Sequence, residues 1–427
     1  MHRCLTRLLL AGSLLVPAAA HAQAGPADSA ATLPLERRVW LASKLHALVE
    51  ANFAHWRAAP VADFDSLTRA YLAEAVRSDD RRAFDLATLA YVAALGNGHT
   101  TFNDRWLRER HGQGTGFYAR HVEGRWVVTR SELPALRAGD VLAAIDGEPL
   151  EAFYQRQRRY VNGSDDRARR RVFFSRAFLL PQRFTLTLGD GRRVPVERRA
   201  YGGAAPAVET RALEDGRVAY LRIPSFGEPR FEDSALAVVA RTRAAGTPAL
   251  VIDLRGNNGG NTPTRLIRAL MDRPWRSWAE STPLRVALFD FYRRHGMEGF
   301  ADLRDPHLSW AATMTPPDSA AYAGRVVLLT DVGCVSACED FAMPFRDNGR
   351  GPLVGATTQG STGQPYYVDL GDGMAAGIGT KRAYFPDGRE FEGVGIAPDV
   401  EVATTIEDLR RGRDPVLARA LAILRGR

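Results

Sequence analysis

The sequence predicts a helical amino-terminal region, a β-rich middle segment and an α/β carboxy-terminal region. Helical periodicity dominates residues 36–95, where Leu41, Leu45 and Leu48 fall on one face. Between residues 113 and 200, short alternating polar and apolar stretches are bounded by turn residues, as in small β-domains. After residue 206, strand-like and helix-like segments alternate, which is typical of an α/β domain with a central sheet.

Individual elements follow from the same patterns. A later helix carries Leu86, Leu89 and Val92 on one face and stops before residues 96–98. FTLTLGDGRRVPVER predicts a hairpin around residues 189–191. In the last region we expect strands at VAYLRIPSF, ALVIDLRG and RVVLLTD, and helices at TPTRLIRALM and SACEDFAMPFRDNG. The stretch 163–180, charged and then aromatic, fits none of these elements.

The composition is that of an ordinary globular protein. Of 427 residues, 45% are hydrophobic and 25% are charged, which predicts two or three domains, each with its own core. The net charge is +8, but the basic residues are nearly all Arg and are interleaved with Asp and Glu. The densest basic group, residues 167–171, lacks interleaved aromatic residues, so we expect a solvated Arg-rich surface and no nucleic-acid partner. No zinc-ligand spacing is present, and we expect neither a metal nor a cofactor.

The amino terminus has the pattern of an export signal. Arg3 and Arg7 precede an apolar run at residues 8–16, and Ala20-His21-Ala22 is a small-x-small cleavage site. We therefore expect residues 1–22 to be removed and the protein to be periplasmic or secreted. No later stretch has the length of apolar sequence that a membrane span requires.

Two cysteines remain after removal of such a signal. Cys334 and Cys338 are spaced by one helical turn, which brings Cα atoms within bridging distance. An oxidising compartment would permit a disulfide between them. Two small buried thiols that bracket a turn are the equally open alternative.

A glycine-rich turn follows the predicted strand ALVIDLRG. In the string DLRGNNGG, the consecutive glycines Gly259 and Gly260 let backbone N–H groups approach a ligand. The Lys and Ser/Thr that would complete a phosphate loop are missing, and the glycine spacing of a dinucleotide fingerprint is absent. The remaining functional interpretation is an oxyanion hole.

Two further residues have both a structural and a chemical interpretation. Ser336 and Glu339 have the spacing of a helix capping box, so Ser336 is a candidate N-cap. A serine at a strand-to-helix turn is equally suited to be a nucleophile, with the next N–H aimed at developing negative charge. His99 follows a helix, where it is either a cap residue or a catalytic base.

Taken together, these strings resemble one family. DLRGNNGG, SACE and VGATTQG look like motifs of carboxy-terminal-processing, or tail-specific, peptidases. GNGHTTF and EGVGIAPD look like the His and Glu motifs of the tricorn-like branch. The middle segment resembles a PDZ domain, because RAGDVLAAIDG matches its most regular stretch. In PDZ domains a loop of backbone N–H groups binds a chain-terminal carboxylate, and the residues at that position are Gly114, Thr115, Gly116 and Phe117.

The resemblance implies a crotonase/Clp-protease-like α/β fold and a serine endopeptidase. Ser336 matches the nucleophile, His99 the base and Glu392 the residue that orients the base, while Gly259 and Ala337 match the oxyanion-hole donors. The implied organisation is a signal at 1–22, a helical region at 23–112, a PDZ-like domain at 113–205 and a catalytic domain at 206–427. The implied partners are protein or peptide substrates, bound by their carboxy termini.

Two positions depart from the family. The processing-protease branch has a Lys in the segment after VGATTQG, where this chain has Ser361. Tricorn has a Ser directly before its His, where this chain has Gly98. Lys381 lies too late in the chain to match the Lys position.

Three alternatives remain at this stage. A catalytically silent protein on the same scaffold would carry a hydrophobic ligand or a peptide. An acyl-CoA enzyme of the crotonase type is disfavoured, because such enzymes lack an activated serine and a PDZ module. The middle segment could also be a small β-domain without a ligand.

Overall fold

The computed structural model describes residues 31–56, 59–60, 63–201, 207–283, 294–295 and 307–426. The expected export signal at residues 1–22 and most of the leader after it lie outside the described residues. Within the described ranges, no helix combines the length and the apolar character needed to cross a membrane.

The amino-terminal region is helical. Its elements are α1 (Leu35–Asn52), α2 (Phe64–Arg77), α3 (Arg81–Ala94), β1 (Thr101–Asp104) and α4 (Arg105–His111). Asp63 and Asp80 begin α2 and α3, since each carboxylate accepts a hydrogen bond from a first-turn N–H. Leu41, Leu45 and Leu48 are buried on one face of α1 as predicted.

The β-rich segment forms a six-stranded antiparallel sheet in which five strands follow the order β2-β3-β4-β6-β7 and β5 pairs with β4. The strands and helices are β2 (Phe117–Val122), β3 (Arg125–Ser131), β4 (Val141–Ile145), β5 (Glu148–Pro149), α5 (Leu150–Gln157), α6 (Asp166–Val172), β6 (Arg183–Leu188) and β7 (Arg193–Glu197). Strands β6 and β7 form the predicted hairpin. The unassigned stretch 163–180 contains α6 and two short 3-10 turns.

The helical region and the β-rich sheet share one hydrophobic core. This core runs from Leu41 in α1 to Val196 in β7 and includes Leu370 to Ile378 from the last region. Apolar faces of the two regions therefore pack against each other, where the sequence suggested a separate core for each.

The carboxy-terminal region is α/β, as predicted. Its elements are β8 (Glu209–Leu213), β9 (Val218–Arg222), α7 (Pro229–Ala244), β10 (Ala249–Asp253), α8 (Thr264–Leu270), β11 (Ala279–Pro283), β12 (His307–Trp310), β13 (Arg325–Thr330), α9 (Ala337–Asp347), β14 (Leu353–Gly355), β15 (Pro365–Gly371), β16 (Met374–Gly379), β17 (Arg382–Tyr384), β18 (Val400–Glu401), α10 (Ile406–Arg411) and α11 (Pro415–Leu424). The main sheet has the order β18-β14-β13-β10-β9-β8.

In this sheet only β8 is antiparallel to its neighbour, and the other pairs are parallel. All five residues of β10 are buried, as expected for a central strand covered on both faces. One face packs against α7, α8 and α9, and the other packs against α11. Two three-stranded sheets complete the fold, β1-β16-β15 and β12-β11-β17.

Candidate active site

The site lies at the carboxyl ends of two neighbouring parallel strands. Strands β10 and β13 pair so that Asp253 stands opposite Leu329. The glycine-rich turn after β10 and the turn that carries Ser336 after β13 therefore meet at one sheet edge, where α/β proteins usually place their ligands. An added Cβ at Gly259 would lie 2.7 Å from Ser336 Cβ, so only glycine fits this contact between the turns.

Ser336 occupies a strained turn directly before α9. Its φ is +60°, a left-handed conformation that is uncommon for a residue with a side chain. Its Oγ lies 3.0 Å from His99 Nε2. The hydroxyl thus faces the imidazole at hydrogen-bond distance, as a nucleophile faces its base.

His99 is brought to Ser336 by the pairing of β1 with a distant strand. It lies in the loop between α3 and β1, and Phe102 of β1 pairs with Ala376 of β16. The backbone N–H of His99 donates to Asn97 Oδ1 at 3.0 Å. Residues of the amino-terminal region therefore form part of the same site as the α/β region.

Glu392 reaches His99 through Ser361. The sequence suggested that Glu392 orients the imidazole, but His99 Nδ1 lies 2.9 Å from Ser361 Oγ. Ser361 Oγ in turn donates to Glu392 Oε1 at 2.9 Å. The hydroxyl of Ser361, the residue at which the sequence departs from the processing-protease pattern, is therefore the link between the two groups.

This chain of bonds determines the tautomer of His99. A hydroxyl has one proton, and Ser361 donates that proton to Glu392. The Ser361 oxygen must therefore accept the Nδ1–H of His99, which leaves Nε2 unprotonated and facing Ser336. A base for the Ser336 hydroxyl needs this arrangement.

Glu392 Oε1 accepts two further hydrogen bonds. Ser164 Oγ donates to it at 2.7 Å and Asn97 Nδ2 at 2.9 Å. Ser164 belongs to the stretch that the sequence left unassigned, and its Oγ also accepts from Gly98 N–H at 3.2 Å. The β-rich region thus holds both the carboxylate and the histidine loop.

Gly98 leaves the space that Ser361 fills. A Cβ at residue 98 would lie 2.7 Å from Ser361 Oγ and 3.2 Å from its Cβ. The two departures from the family pattern are therefore neighbours in space. The chain has Gly98 and no Ser directly before His99, and the hydroxyl of Ser361, from another loop, contacts the imidazole instead.

Glu339 ties the nucleophile turn to the loop of Ser361. Its buried carboxylate accepts from the backbone N–H groups of Ser336, Gly360 and Ser361 at 3.1, 2.6 and 3.0 Å. The Ser336 N–H also donates to the Ser361 carbonyl oxygen at 2.9 Å. The sequence spacing of a capping box predicts the bond from Ser336, but no local sequence pattern predicts the two bonds from Gly360 and Ser361.

Burial shifts the titrating groups in opposite directions. It lowers the pKa of His99 to about 4, with the Lys381 charge acting in the same direction and Asp340 opposing it. Burial raises the pKa of Glu392 to about 7, although hydrogen bonds from Ser164 and Ser361 oppose the rise. The imidazole is therefore neutral near pH 7, as a general base must be.

The two oxyanion-hole candidates differ. Ala337 is the first residue of α9, so its N–H is one of the donors that have no partner inside the helix. The Gly259 N–H donates to Asn257 Oδ1 at 2.9 Å. Gly259 lies beside Ser336, but its N–H is shared with a side chain in this state.

The structure also describes the two cysteines and the candidate carboxylate-binding loop. Cys334 and Cys338 form a disulfide that brackets Ser336, with their Cα atoms 5.3 Å apart. The loop from Gly114 to Phe117 precedes β2, and Thr115 Oγ1 donates to the Phe117 carbonyl oxygen at 3.1 Å. The Tyr201 ring covers Gly116.

Lys381 forms an ion pair with Glu280. In the described part of the chain, no group of three or more His, Cys, Asp or Glu side chains is arranged to hold a metal ion.

Sequence reasoning missed Ser361, Ser164, Asn97 and the full role of Glu339, because each acts on residues far away in the chain.

The class of protein follows from comparison with known families. Residues 217–402 match the model of Peptidase family S41. This match contains the turn of Gly259, Ser336, Ser361 and Glu392, while His99 lies before it. This part of the chain is therefore similar to Peptidase family S41.

Curated relatives carry the names of two kinds of protease. The chain is 29% identical over 205 residues to carboxyl-terminal-processing peptidase 3 of Arabidopsis thaliana, covering 47% of this chain and 35% of that one. It is 30% identical over 218 residues to putative tricorn protease homolog 2 of Streptomyces coelicolor, covering 50% and 16%. The matched region thus spans about a third or less of these two relatives.

Solved structures share the fold over most of this chain. Mature CPAF in complex with lactacystin superposes with a TM-score of 0.68 at 15% identity, covering 88% of this chain and 95% of that one. The photosystem II D1 C-terminal processing protease superposes with a TM-score of 0.54 at 20% identity, covering 86% and 93%. The helical, β-rich and α/β regions are therefore one shared architecture.

Proposed function

We propose that the protein is a serine endopeptidase that hydrolyses peptide bonds through an acyl-enzyme at Ser336. The observation that carries this proposal is the 3.0 Å approach of Ser336 Oγ to His99 Nε2 inside an open cavity. The family match and the strained conformation of Ser336 support the same assignment.

The reaction proceeds in two halves. Ser336 Oγ attacks the peptide carbonyl carbon while its proton passes to His99 Nε2. The imidazolium then gives this proton to the leaving amine as the C–N bond breaks, which leaves an ester on Ser336. Water, deprotonated by His99, hydrolyses the ester and frees the enzyme.

Ser361 and Glu392 are positioning residues in this scheme. The hydroxyl oxygen of Ser361 accepts a hydrogen bond from the Nδ1–H of His99, and the same hydroxyl donates a hydrogen bond to Glu392. The carboxylate thus favours the productive tautomer and stabilises the imidazolium through one intervening hydroxyl.

The oxyanion of the tetrahedral intermediate would be bound by backbone N–H groups. The Ala337 N–H at the start of α9 is the first donor, and the positive end of the helix dipole adds to its effect. Gly259 is the second donor, with Asn257 Oδ1 sharing its N–H until the oxyanion forms.

We assign a substrate-recruiting role to residues 113–205 as a PDZ-like domain. Its strand β2 lies at the edge of the sheet, where a peptide strand could be added. Amidating a substrate's carboxy terminus should weaken capture several-fold if Gly114 to Phe117 bind a carboxylate. Equal capture of amidated and free peptides would reject this role and leave Ser336 unaffected.

Export through a signal at residues 1–22 fits the disulfide beside Ser336, since disulfides persist in oxidising compartments. The mass of the purified native protein tests this step, because cleavage after Ala22 leaves Gln23 as the first residue. An intact Met1 on protein from the extracytoplasmic fraction would reject it.

One experiment separates a peptidase from a silent binding protein. A fluorophosphonate probe should label the wild type at Ser336 and should not label Ser336→Ala. Proteomic comparison of peptides released by the two proteins then identifies cleaved bonds. Absence of both labelling and release by folded wild type would favour the binding protein.

A further inference from the structure

The stretch 163–180 lines the candidate catalytic cavity as well as holding Glu392. The cavity, of about 1320 Å³, includes His99 and Ser336 in its wall. Helix α6 contributes Arg171 to the same wall, and the turn after it contributes Arg176. The exposed Arg294 also lines the cavity, so three guanidinium groups share it with the candidate nucleophile, and those of Arg171 and Arg176 are the two half-buried ones.

Neither Arg171 nor Arg176 forms a salt bridge with a carboxylate of the described residues. Arg171 Nε donates to the neutral amide oxygen of Gln359 at 3.1 Å. Arg176 Nη2 donates to the neutral amide oxygen of Asn162 at 3.0 Å. Arg167, on the same helix, forms an ion pair with Asp165.

This arrangement leaves both positive charges without a salt bridge, although the more distant carboxylates of Asp331 and Glu339 act favourably on the charge of Arg171. Burial lowers the pKa of both Arg171 and Arg176, but a guanidinium stays protonated in proteins. A half-buried charge without a salt bridge is costly, and a carboxylate that entered the cavity and paired with it would reduce that cost. Among the described residues of the cavity wall, the one carboxylate is Asp369, and it is exposed.

We propose that the catalytic cavity selects peptides with a carboxylate near the scissile bond, bound by Arg171 and Arg176. Guanidinium groups bind carboxylates through paired, charge-assisted hydrogen bonds. The carboxylate could belong to an Asp or Glu side chain or to the end of the substrate chain. This inference rests on the proposed peptidase function, and it assigns that function a substrate class.

The test uses matched peptides with the wild-type protein. One set carries Glu or Gln at each position around a bond found to be cleaved, and a second set has a free or an amidated carboxy terminus. We expect kcat/KM to be roughly tenfold or more higher for the peptide that carries the carboxylate. A preference that follows Glu identifies a side chain, and one that follows the free terminus identifies the chain end.

Variants then assign the preference to the two arginines. Arg171→Gln combined with Arg176→Gln should abolish the ratio between the charged and neutral peptides, and the exposed Arg167→Gln should keep it. Because this ratio is taken within one protein, partial loss of folded protein does not change it. If the double variant does not fold, Arg176→Glu should reverse the preference, towards a peptide with Lys in place of Glu.

Two results would overturn the inference. One is equal cleavage of charged and neutral peptides by the wild type, and the other is a preference that survives in the double variant. In both cases labelling of Ser336 by a fluorophosphonate would leave the peptidase function intact. No cleavage and no labelling would instead remove the peptidase function and this inference together.

Discussion

His99 Nδ1 lies 2.9 Å from the hydroxyl oxygen of Ser361, and the same hydroxyl donates a hydrogen bond to Glu392 Oε1 at 2.9 Å. In the proposed mechanism, the orientation of the imidazole therefore depends on Ser361.

Removal of the Ser361 hydroxyl should slow the reaction while leaving the imidazole in place. For Ser361→Ala we expect kcat to fall on the order of a hundredfold, because the base is less well oriented. Glu392→Gln should have a similar effect, and the double variant should be little worse than either single one, since both act through one hydroxyl. Fully additive losses in kcat would show that the two residues act separately.

Gly98 should not tolerate a side chain. In Gly98→Ala the new Cβ would lie 2.7 Å from Ser361 Oγ and push the hydroxyl away from His99. We expect a loss of kcat comparable to that of Ser361→Ala. Gly98→Ser combined with Ser361→Gly places a hydroxyl beside the imidazole again and should recover part of the activity. Full activity of Gly98→Ala would contradict the steric argument.

The pH dependence should report Glu392 as well as His99. Below its pKa of about 7, Glu392 is protonated and stabilises the imidazolium less well. The His99 pKa of about 4 leaves the base neutral throughout this range. The wild-type kcat/KM should therefore rise with pH through about 7. In Glu392→Gln the plateau should be lower and the rise should move to more acid pH, and an unchanged profile would exclude Glu392 as its source.

The identity of the base is tested by His99 and Lys381. His99→Ala should lower kcat at least about a hundredfold, a typical contribution of a general base. Lys381 is paired with Glu280, so Lys381→Met together with Glu280→Gln removes the pair without leaving a lone buried charge. That double variant should keep most of its activity. The opposite pattern would make the protein a Ser–Lys enzyme.

The disulfide should stabilise the turn that holds Ser336. Cys334→Ala with Cys338→Ala should lower the free energy of unfolding by about 2 kcal/mol, because the short closed loop no longer restricts the unfolded chain. Urea unfolding of the variant and the wild type measures this difference. Alkylation of the unfolded, unreduced mature wild type should detect no free thiol, and two labelled cysteines would reject the bond.

The sequence by itself predicted most of the elements and supplied the candidate catalytic residues. The strand of β10, the turn before α9 and the helix before His99 follow from periodicity and turn residues, which are local properties. The family strings then picked out Ser336, His99 and Glu392 as candidates. The hairpin of β6 and β7 was predicted in the same way, from two alternating runs around a turn.

Only the tertiary structure decided how these residues are connected. Ser361 lies 262 residues from His99 and 31 from Glu392 in the chain, and it meets both. Ser164 reaches Glu392 across 228 residues, and Arg171 reaches Gln359 across 188. A local pattern records the preference of a segment for helix, strand or turn, but it does not record which distant side chain will fill the space beside it. That choice is made by the packing of β1 on β16 and of the stretch 163–180 on the α/β region, where buried polar groups must find partners.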